Sequence, residues 1–259
     1  ELASPWAYKG LVVKRAHDKP RGYPGDYLLL EAIYDNKTSS SGIGICSDRY
    51  FLNNSYSVAV RNRLSKFKEI LKDFIRRSHV KDEVRILNIA CGSIRELRDL
   101  LVEESQLFED RPIHITCFDQ DEEALDFDRQ KLQGLNDNLV FEFVQGDVLG
   151  FLKKPTTSSK QYHLIYSIGL ADYLPDRVLK RLVASWIDLL KPGGLLVITH
   201  KDLARSKPLA PDWFCDWNFY ARTEEKVKEL FASTKLDALR MKIEREDTQQ
   251  IMFFPLERI

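Results

Sequence analysis

A turn of small residues between an apolar strand and a helical pattern is the clearest sign of chemistry in this chain. The strand-like pattern that starts at Val84 breaks at Ala90–Ser93, and a helical pattern follows at once. Small residues at such a turn let the backbone approach a ligand, and the next helix N-terminus supplies N–H groups and positive dipole. The turn predicts a nucleotide-cofactor site, although Gly92 would equally permit a tight connection that binds nothing.

Two acidic residues at the ends of later strands fit the same kind of ligand. Asp119 follows the strand-like run 113–118, at a distance of about 20–30 residues from the glycine turn that suits a ribose diol. Asp147 follows the run 139–144, where it can accept a hydrogen bond from an adenine amino group. With the Pro-Gly pair at 192–193 that separates a helix from a buried strand, these features resemble the class I, Rossmann-like S-adenosylmethionine-dependent methyltransferases.

That resemblance covers about residues 84–200 and implies S-adenosylmethionine as cofactor and S-adenosylhomocysteine as product. No metal site is expected. The cofactor-binding residues expected on this basis lie in an N-terminal turn, in the glycine turn and after the strands. They are Arg21, Tyr23, Asp26, Ala90, Gly92, Glu96, Asp119, Gln120, Gly146, Asp147, Val148, Ser167 and Gly169.

One position departs from the usual pattern of these enzymes. Asn88 stands where most of them place an acidic residue that faces the methionine ammonium. Asp26 or Glu96 is therefore expected to supply the negative charge. Arg21 is expected to form a bidentate pair with the methionine carboxylate.

The N-terminal turn also carries a narrower resemblance. Two glycines and a proline within Gly22–Asp26 force a compact turn that can bring Arg, Asp and Tyr side chains together, although a decorated surface turn has the same composition. The chain is similar to a bacterial methyltransferase family typified by enzymes that make methyl esters of 3-hydroxy fatty acids for quorum sensing. The stretches that carry this likeness are Arg21–Tyr27, Ile33–Tyr34, Arg49–Phe51, Ala59–Arg63, Ala90–Glu96, Gly169–Leu174 and Asp216–Thr223.

The narrower resemblance implies O-methylation of a carboxyl or hydroxyl group. A carboxylate needs no general base, whereas an alcohol or phenol does. His200, at the end of the run 194–200, is the candidate base, although a histidine there is often structural, and His17 shares that ambiguity. Arg222 and Tyr173 complete the predicted catalytic set.

A pocket with aromatic walls and an arginine suits a partly apolar carboxylate as acceptor. Core packing is the alternative role for Trp217 and Tyr220. The residues expected in the acceptor pocket are Tyr23, Tyr27, Tyr173, Trp217, Tyr220 and Arg222.

Strands alternate with helices after residue 82, which predicts an α/β fold with a mainly parallel sheet covered on both faces. The predicted elements are 84–90, 94–104, 113–118, 121–132, 139–144, 162–168, 176–190, 194–200 and 224–232. The resemblance implies a Rossmann-like sheet of seven strands, closed by a reversed edge hairpin at 238–244 and 249–255. An exposed loop is predicted at 154–160.

Residues 1–82 are predicted to form a helical N-terminal cap on a methyltransferase core at 83–259. An amphipathic helix from about residue 57 to 77 dominates this segment. Its apolar stripe is Val60, Leu64, Phe67, Leu71 and Phe74. Its basic residues are expected to form a solvated face in preference to a phosphate-binding patch. They are Arg61, Arg63, Lys66, Lys68, Lys72, Arg76 and Arg77.

Composition narrows the class of protein further. Lys and Arg together number 39, as do Asp and Glu, so net charge gives no reason to expect nucleic acid or an anionic membrane as partner. Four cysteines without short paired spacing indicate neither a zinc site nor a disulfide framework. No apolar run or leader predicts membrane insertion or secretion, so a cytoplasmic location is expected.

The sequence therefore predicts a small-molecule methyltransferase. An N- or C-methyltransferase domain of a biosynthetic assembly and a non-catalytic cofactor-binding scaffold remain as alternatives, and the oligomeric state is open. The chain begins without Met, which is consistent with a trimmed protein or one excised from a longer chain.

Overall fold

A computed structural model describes residues 4–78, 83–135, 138–152, 161–206, 214–232 and 239–259. Helices occupy the described residues before the first strand: α1 (Ser4–Ala7), α2 (Leu11–Asp18), α3 (Tyr27–Asp35), α4 (Ile43–Leu52) and α5 (Ser55–Arg77). The longest of them, α5, begins where the Asn54 side chain accepts hydrogen bonds from two backbone N–H groups. Among the described helices, none is long and apolar enough to span a membrane.

The buried stripe of α5 is rotated slightly from the predicted one. Arg63 and Ile75 are buried in it, whereas Leu64 and Phe74 are only partly buried. The prediction of a solvated basic face is therefore wrong for Arg63, which is 4% exposed. The cause is its helical spacing, since Arg63 follows Val60 by three residues and lies on the same face.

The sheet that follows confirms the predicted Rossmann-like fold. Its strands are β1 (Val84–Ile89), β2 (Ile113–Asp119), β3 (Leu139–Gln145), β4 (Tyr162–Ser167), β5 (Leu190–Lys201), β6 (Leu239–Met241), β7 (Glu244–Arg245) and β8 (Ile251–Arg258). The spatial order is β3-β2-β1-β4-β5-β8-β6, with β7 also paired to β8. Strands β1 to β5 are parallel, and β8 runs antiparallel to β5.

Two details of the sheet differ from expectation. The two-residue β7 makes eight strands within the described residues, against the seven predicted. Strand β8 lies between β5 and β6, so the reversed strand is interior to the sheet and β6 takes the edge. The predicted loop 154–160 and residue 238 of the predicted hairpin lie outside the described residues.

Helices α6 (Arg95–Glu103), α7 (Glu122–Leu132), α8 (Asp176–Asp188) and α9 (Glu224–Ala232) connect the strands. Buried residues of α2 to α5 form one cluster with those of α6 and α7 and with residues of β1 and β2. Helices α8 and α9 contribute to a second cluster with other residues of β1, β4, β5 and β8. The N-terminal helices thus share one hydrophobic core with the sheet.

The carboxyl ends of β1 and β4 meet where the strand order changes direction. Strand β1 pairs with β2 on one side and with β4 on the other. Open α/β sheets bind ligands in the crevice at such a point, because the loops that leave the two strands diverge there. The loops after β1, β2, β3 and β4 all reach this edge.

Candidate cofactor and acceptor site

A cavity at this edge of the sheet is lined by three walls, and the first of them is called the floor. The floor consists of residues at or just after the carboxyl ends of β1, β2 and β3: Ala90, Gly92, Asp119, Gln120, Gly146 and Val148. The second wall is the N-terminal turn with the start of α3: Tyr23, Pro24, Gly25, Tyr27 and Leu30. The third wall combines α5 with the loop after β4 and one later aromatic: Tyr56, Val60, Arg63, Ile168, Gly169, Leu170, Asp172, Tyr173 and Trp217.

The conformation of the glycine turn is fixed by two left-handed residues and by hydrogen bonds to β2. Ala90 and Gly92 have φ angles of 54° and 58°, in the left-handed region that favours glycine. The Gly92 N–H donates to Asp119 Oδ2 at 2.9 Å, and the Cys91 N–H donates to the Phe118 carbonyl at 3.2 Å. The turn is therefore fixed against the strand that carries the acidic residue.

Asp119 lines the floor and is 7% exposed. Besides the Gly92 N–H, its carboxylate accepts the Asp121 N–H at 3.0 Å. Burial raises the pKa of Asp119, and these backbone hydrogen bonds oppose that rise. A carboxylate has about four lone-pair positions, so acceptor capacity remains for ribose hydroxyls.

The end of the floor at Gly146 and Val148 is narrow and apolar. A Cβ atom on Gly146 would lie 2.7 Å from the Phe118 ring, so only glycine fits without displacing that ring. Val148 lines the cavity beside it. Asp147 is exposed, accepts the Leu149 N–H at 2.8 Å and does not line the cavity.

Two charged residues of the N-terminal turn have partners outside the cavity. Arg21 forms a bidentate ion pair with Asp121 and a further ion pair with Glu123. Asp26 is 1% exposed, caps α3 and accepts from Arg15 Nε at 2.9 Å. Neither lines the cavity.

Tyr23 does line the cavity. Its hydroxyl donates to Asp121 Oδ2 at 2.9 Å. Burial is the largest cause that raises the pKa of this hydroxyl, and the nearby charges of Asp119 and Asp121 raise it further. The phenol therefore remains neutral at physiological pH, and it ties the second wall to the loop after β2.

Glu96 faces a smaller cavity that shares Leu30, Ala90, Gly92 and Ile168 with the main one. Its Oε1 atom accepts from the Tyr166 hydroxyl at 2.8 Å and from Asn88 Nδ2 at 3.2 Å. Burial raises the pKa of Glu96. Asn88 thus donates a hydrogen bond to Glu96, which is one of the two acidic residues expected to replace the charge missing at position 88.

The loop after β4 forms part of the third wall. Gly169 has a φ angle of 102°, and its N–H donates to Thr199 Oγ1 at 3.0 Å. Ser167 is buried beneath it and does not line the cavity, and its Oγ atom has no hydrogen-bond partner among the described residues.

The aromatic part of the third wall is tightly packed. Trp217 Nε1 donates to the Tyr173 hydroxyl at 2.6 Å, and burial raises the pKa of that hydroxyl. A Cβ atom on Gly25 would lie 3.0 Å from Trp217 and 3.2 Å from the Tyr173 hydroxyl. Tyr220 is 50% exposed and does not line the cavity.

His200 and Arg222 belong to a buried network behind the cavity. His200 Nδ1 lies 2.8 Å from the Lys201 carbonyl and 3.1 Å from Asp172 Oδ1, and its Nε2 lies 2.7 Å from Arg222 Nη1. Arg222 also donates to Asp176 and to backbone carbonyls of the loop after β4. Neither lines the cavity, and His17 is exposed and pairs with Asp18.

Arg63 lines the cavity, and the sequence interpretation assigned it to solvent. Its place on the stripe of Val60 and Phe67 was the signal that could have identified it. An arginine three or four residues from buried apolar neighbours on a helix shares their face.

Comparisons with known proteins agree with this geometry. Residues 86–194 match the family model described as a methyltransferase domain. Together with the Rossmann-like sheet and the glycine turn, the match supports the class of S-adenosylmethionine-dependent methyltransferases, with S-adenosylmethionine as cofactor. The floor fits that cofactor because it combines a close-approach turn, a buried carboxylate and a narrow apolar slot. No curated protein matches the chain in sequence.

Solved structures share the fold at low sequence identity. A possible exported protein from Bordetella parapertussis is 18% identical, with a TM-score of 0.67 over 90% of this chain and 79% of that one. Magnesium protoporphyrin IX methyltransferase from Synechocystis PCC 6803, with bound S-adenosylmethionine, is 10% identical, with a TM-score of 0.54 over 80% and 85%. The CurJ carbon methyltransferase is 14% identical, with a TM-score of 0.58 over 83% and 58%.

Proposed function

We propose that this protein transfers the methyl group of S-adenosylmethionine to an oxygen atom of a small, partly apolar acceptor, and that the acceptor atom belongs to a carboxylate. The observation that carries the proposal is one continuous cavity, in which the floor that contains the glycine turn and Asp119 extends to an aromatic wall. A narrower assignment to enzymes that make methyl esters of 3-hydroxy fatty acids rests on the sequence resemblance.

The floor residues have defined roles in this proposal. Asp119 accepts hydrogen bonds from the ribose, the Gly92 turn allows close approach, and the slot between Gly146 and Val148 takes the adenine. Glu96 supplies negative charge toward the methionine ammonium. When bound, S-adenosylmethionine supplies an electrophilic methyl group on its sulfonium.

The walls align the acceptor and exclude water. Methyl transfer is an in-line displacement, so orientation and desolvation are the main contributions that the protein can make. Tyr173, Trp217 and Tyr27 present aromatic surface to the cavity, which suits an apolar chain attached to the reacting group.

The protonation chemistry favours a carboxylate over an alcohol. No histidine in the described part of the chain lines the cavity, and both ring nitrogens of His200 have close polar neighbours. Tyr23 and Tyr173 have raised pKa values, so neither is a base at neutral pH. A carboxylate is already a nucleophile there and needs no base.

Calorimetric titration with S-adenosylmethionine and S-adenosylhomocysteine tests the first part of the proposal. Labelled methyl transfer to a panel of medium-chain carboxylic acids, with the matching alcohols and amines, tests the second. We expect base-labile methyl esters. Transfer only to alcohols or amines would refute the carboxylate assignment, and cofactor binding without any transfer would favour the scaffold alternative.

A further inference from the structure

Arg63 is a buried cation that forms no ion pair with a described acid, although the charge of Asp172 acts on it from nearby. Its side chain lies on the inner face of α5 and is 4% exposed. Among the described residues it forms no ion pair, and its one hydrogen bond runs from Nη2 to the Tyr34 hydroxyl at 3.3 Å. Its Nε atom is buried without any partner. Because a buried charge without an ion-pair partner is costly, an anionic ligand would stabilise this guanidinium.

The guanidinium lies beside the loop that follows β4. A Cβ atom on Gly169 would lie 2.7 Å from Arg63 Nη1. Glycine at this position therefore leaves room for the guanidinium. Burial lowers the pKa of Arg63, but Tyr34, Tyr56 and Asp172 oppose this and the net change is upward. The group therefore stays charged inside the wall of the cavity.

The other arginines considered for anion binding are already paired. Arg21 is held by Asp121 and Glu123, and Arg222 by Asp176 and backbone carbonyls. Arg63 differs from both because it lines the cavity and retains unused donors. A planar guanidinium with free donors matches a carboxylate, which can accept two parallel hydrogen bonds.

We propose that Arg63, supported by the Tyr34 hydroxyl, is the carboxylate-binding residue of the cavity. This inference deepens the proposed function and rests on it, since that function supplies two ligands with a carboxylate. One is the methionine part of the cofactor, and the other is the acceptor. The chemistry is the same in both, and the experiment separates them.

The first arm measures cofactor binding by calorimetry. S-adenosylmethionine and its decarboxylated analogue are titrated into the wild type, Arg63→Gln and Arg77→Gln. Arg77 is a matched control, because it lies on the same helix, is 81% exposed and loses the same charge. If Arg63 binds the cofactor carboxylate, the wild type and the control should prefer S-adenosylmethionine by about 10- to 100-fold, and Arg63→Gln should lose that preference.

The second arm measures binding of octanoate and 1-octanol to the protein saturated with S-adenosylhomocysteine. If Arg63 binds the acceptor carboxylate, Arg63→Gln should bind octanoate about 10- to 100-fold more weakly and 1-octanol unchanged. Loss of discrimination in either arm supports the proposal and identifies the source of the carboxylate. Unchanged discrimination in both arms overturns it.

A conservative variant keeps the test valid if Arg63→Gln does not fold. Arg63→Lys retains the charge but lacks the planar fork, so we expect a smaller loss of discrimination in the same arm. If Arg63→Lys and the wild type discriminate equally between ligands with and without a carboxylate in both arms, the proposal is also overturned. A wild-type protein that binds no S-adenosylmethionine would instead refute the proposed function, which is a separate result.

Discussion

Asp128 on α7 allows a quantitative test of the electrostatics beneath the site. It is fully buried, and neither carboxylate oxygen has a hydrogen-bond partner among the described residues. Burial raises its pKa to about 9, while Arg98 opposes the rise and Glu96 and Asp119 add to it. The carboxyl group is therefore protonated in the folded protein at neutral pH and ionised in the unfolded chain.

Folding at pH 7 must therefore bring a proton onto Asp128. Each pH unit above the ordinary value of 3.8 costs about 1.4 kcal/mol, so three units amount to about 4 kcal/mol. The Asp128→Asn protein has a neutral side chain of the same shape and avoids this cost. Because the folded pKa is raised, wild-type stability falls as pH rises from about 4 to about 9, and the variant escapes that fall.

Urea unfolding followed by circular dichroism at pH 5 and pH 8 measures the effect. The advantage of Asp128→Asn should grow by about 4 kcal/mol between these two values. Asp126→Asn is the matched control, because Asp126 lies on the same helix with a 55% exposed side chain. A difference between wild type and Asp128→Asn that does not change with pH would refute the reasoning.

Three further substitutions test the site. Asp119→Ala should weaken S-adenosylmethionine binding by about 1–3 kcal/mol in calorimetry, because ribose hydroxyls lose their acceptor; unchanged affinity in a folded variant would mean that Asp119 does not contact the ribose. Gly146→Ala should lower both stability and cofactor affinity, since its Cβ would lie 2.7 Å from the Phe118 ring, and thermal melts with and without cofactor measure both effects. Arg222→Ala should cost about 1–3 kcal/mol of stability and leave cofactor affinity intact, because it leaves the buried carbonyls of Ala171 and Leu174 without a donor outside the cavity; a selective loss of affinity would contradict this placement.

Local periodicity was sufficient to predict most elements of the core. The helix predicted at 224–232 matches α9, and the one predicted at 94–104 differs from α6 by one residue at each end. The start of β5 was missed, because Pro192 and two glycines indicate the end of a helix, whereas a shift in register between β4 and β5 admits them into the strand. The interior position of β8 depends on long-range pairing, which periodicity does not encode.

The residues of the candidate site also fall into those that the sequence could predict and those that it could not. Asp119 and the glycine turn were predictable because each lies at the carboxyl end of a strand, and the carboxyl ends of parallel strands meet at one edge. The partner of Arg21 was not predictable from the sequence. Whether Arg21 pairs with Asp121 or with a ligand depends on how the N-terminal turn lies over the loop after β2. The charge of Arg63 predicts a solvated side chain, whereas its helical spacing places it on the buried face.

The interior position of β8 has a consequence for folding during synthesis. The ribosome makes β8 after all the other described strands, yet β8 supplies the antiparallel partner of β5 and inserts buried residues such as Phe253 and Phe254 into both hydrophobic clusters. A nascent chain that stops before Ile251 leaves the β5 edge unpaired, and protease sensitivity of such stalled chains would report this exposure. The sheet can therefore be completed only after residues 251–258 have left the exit tunnel, and until then β5 presents an unpaired edge of the kind that pairs with other chains.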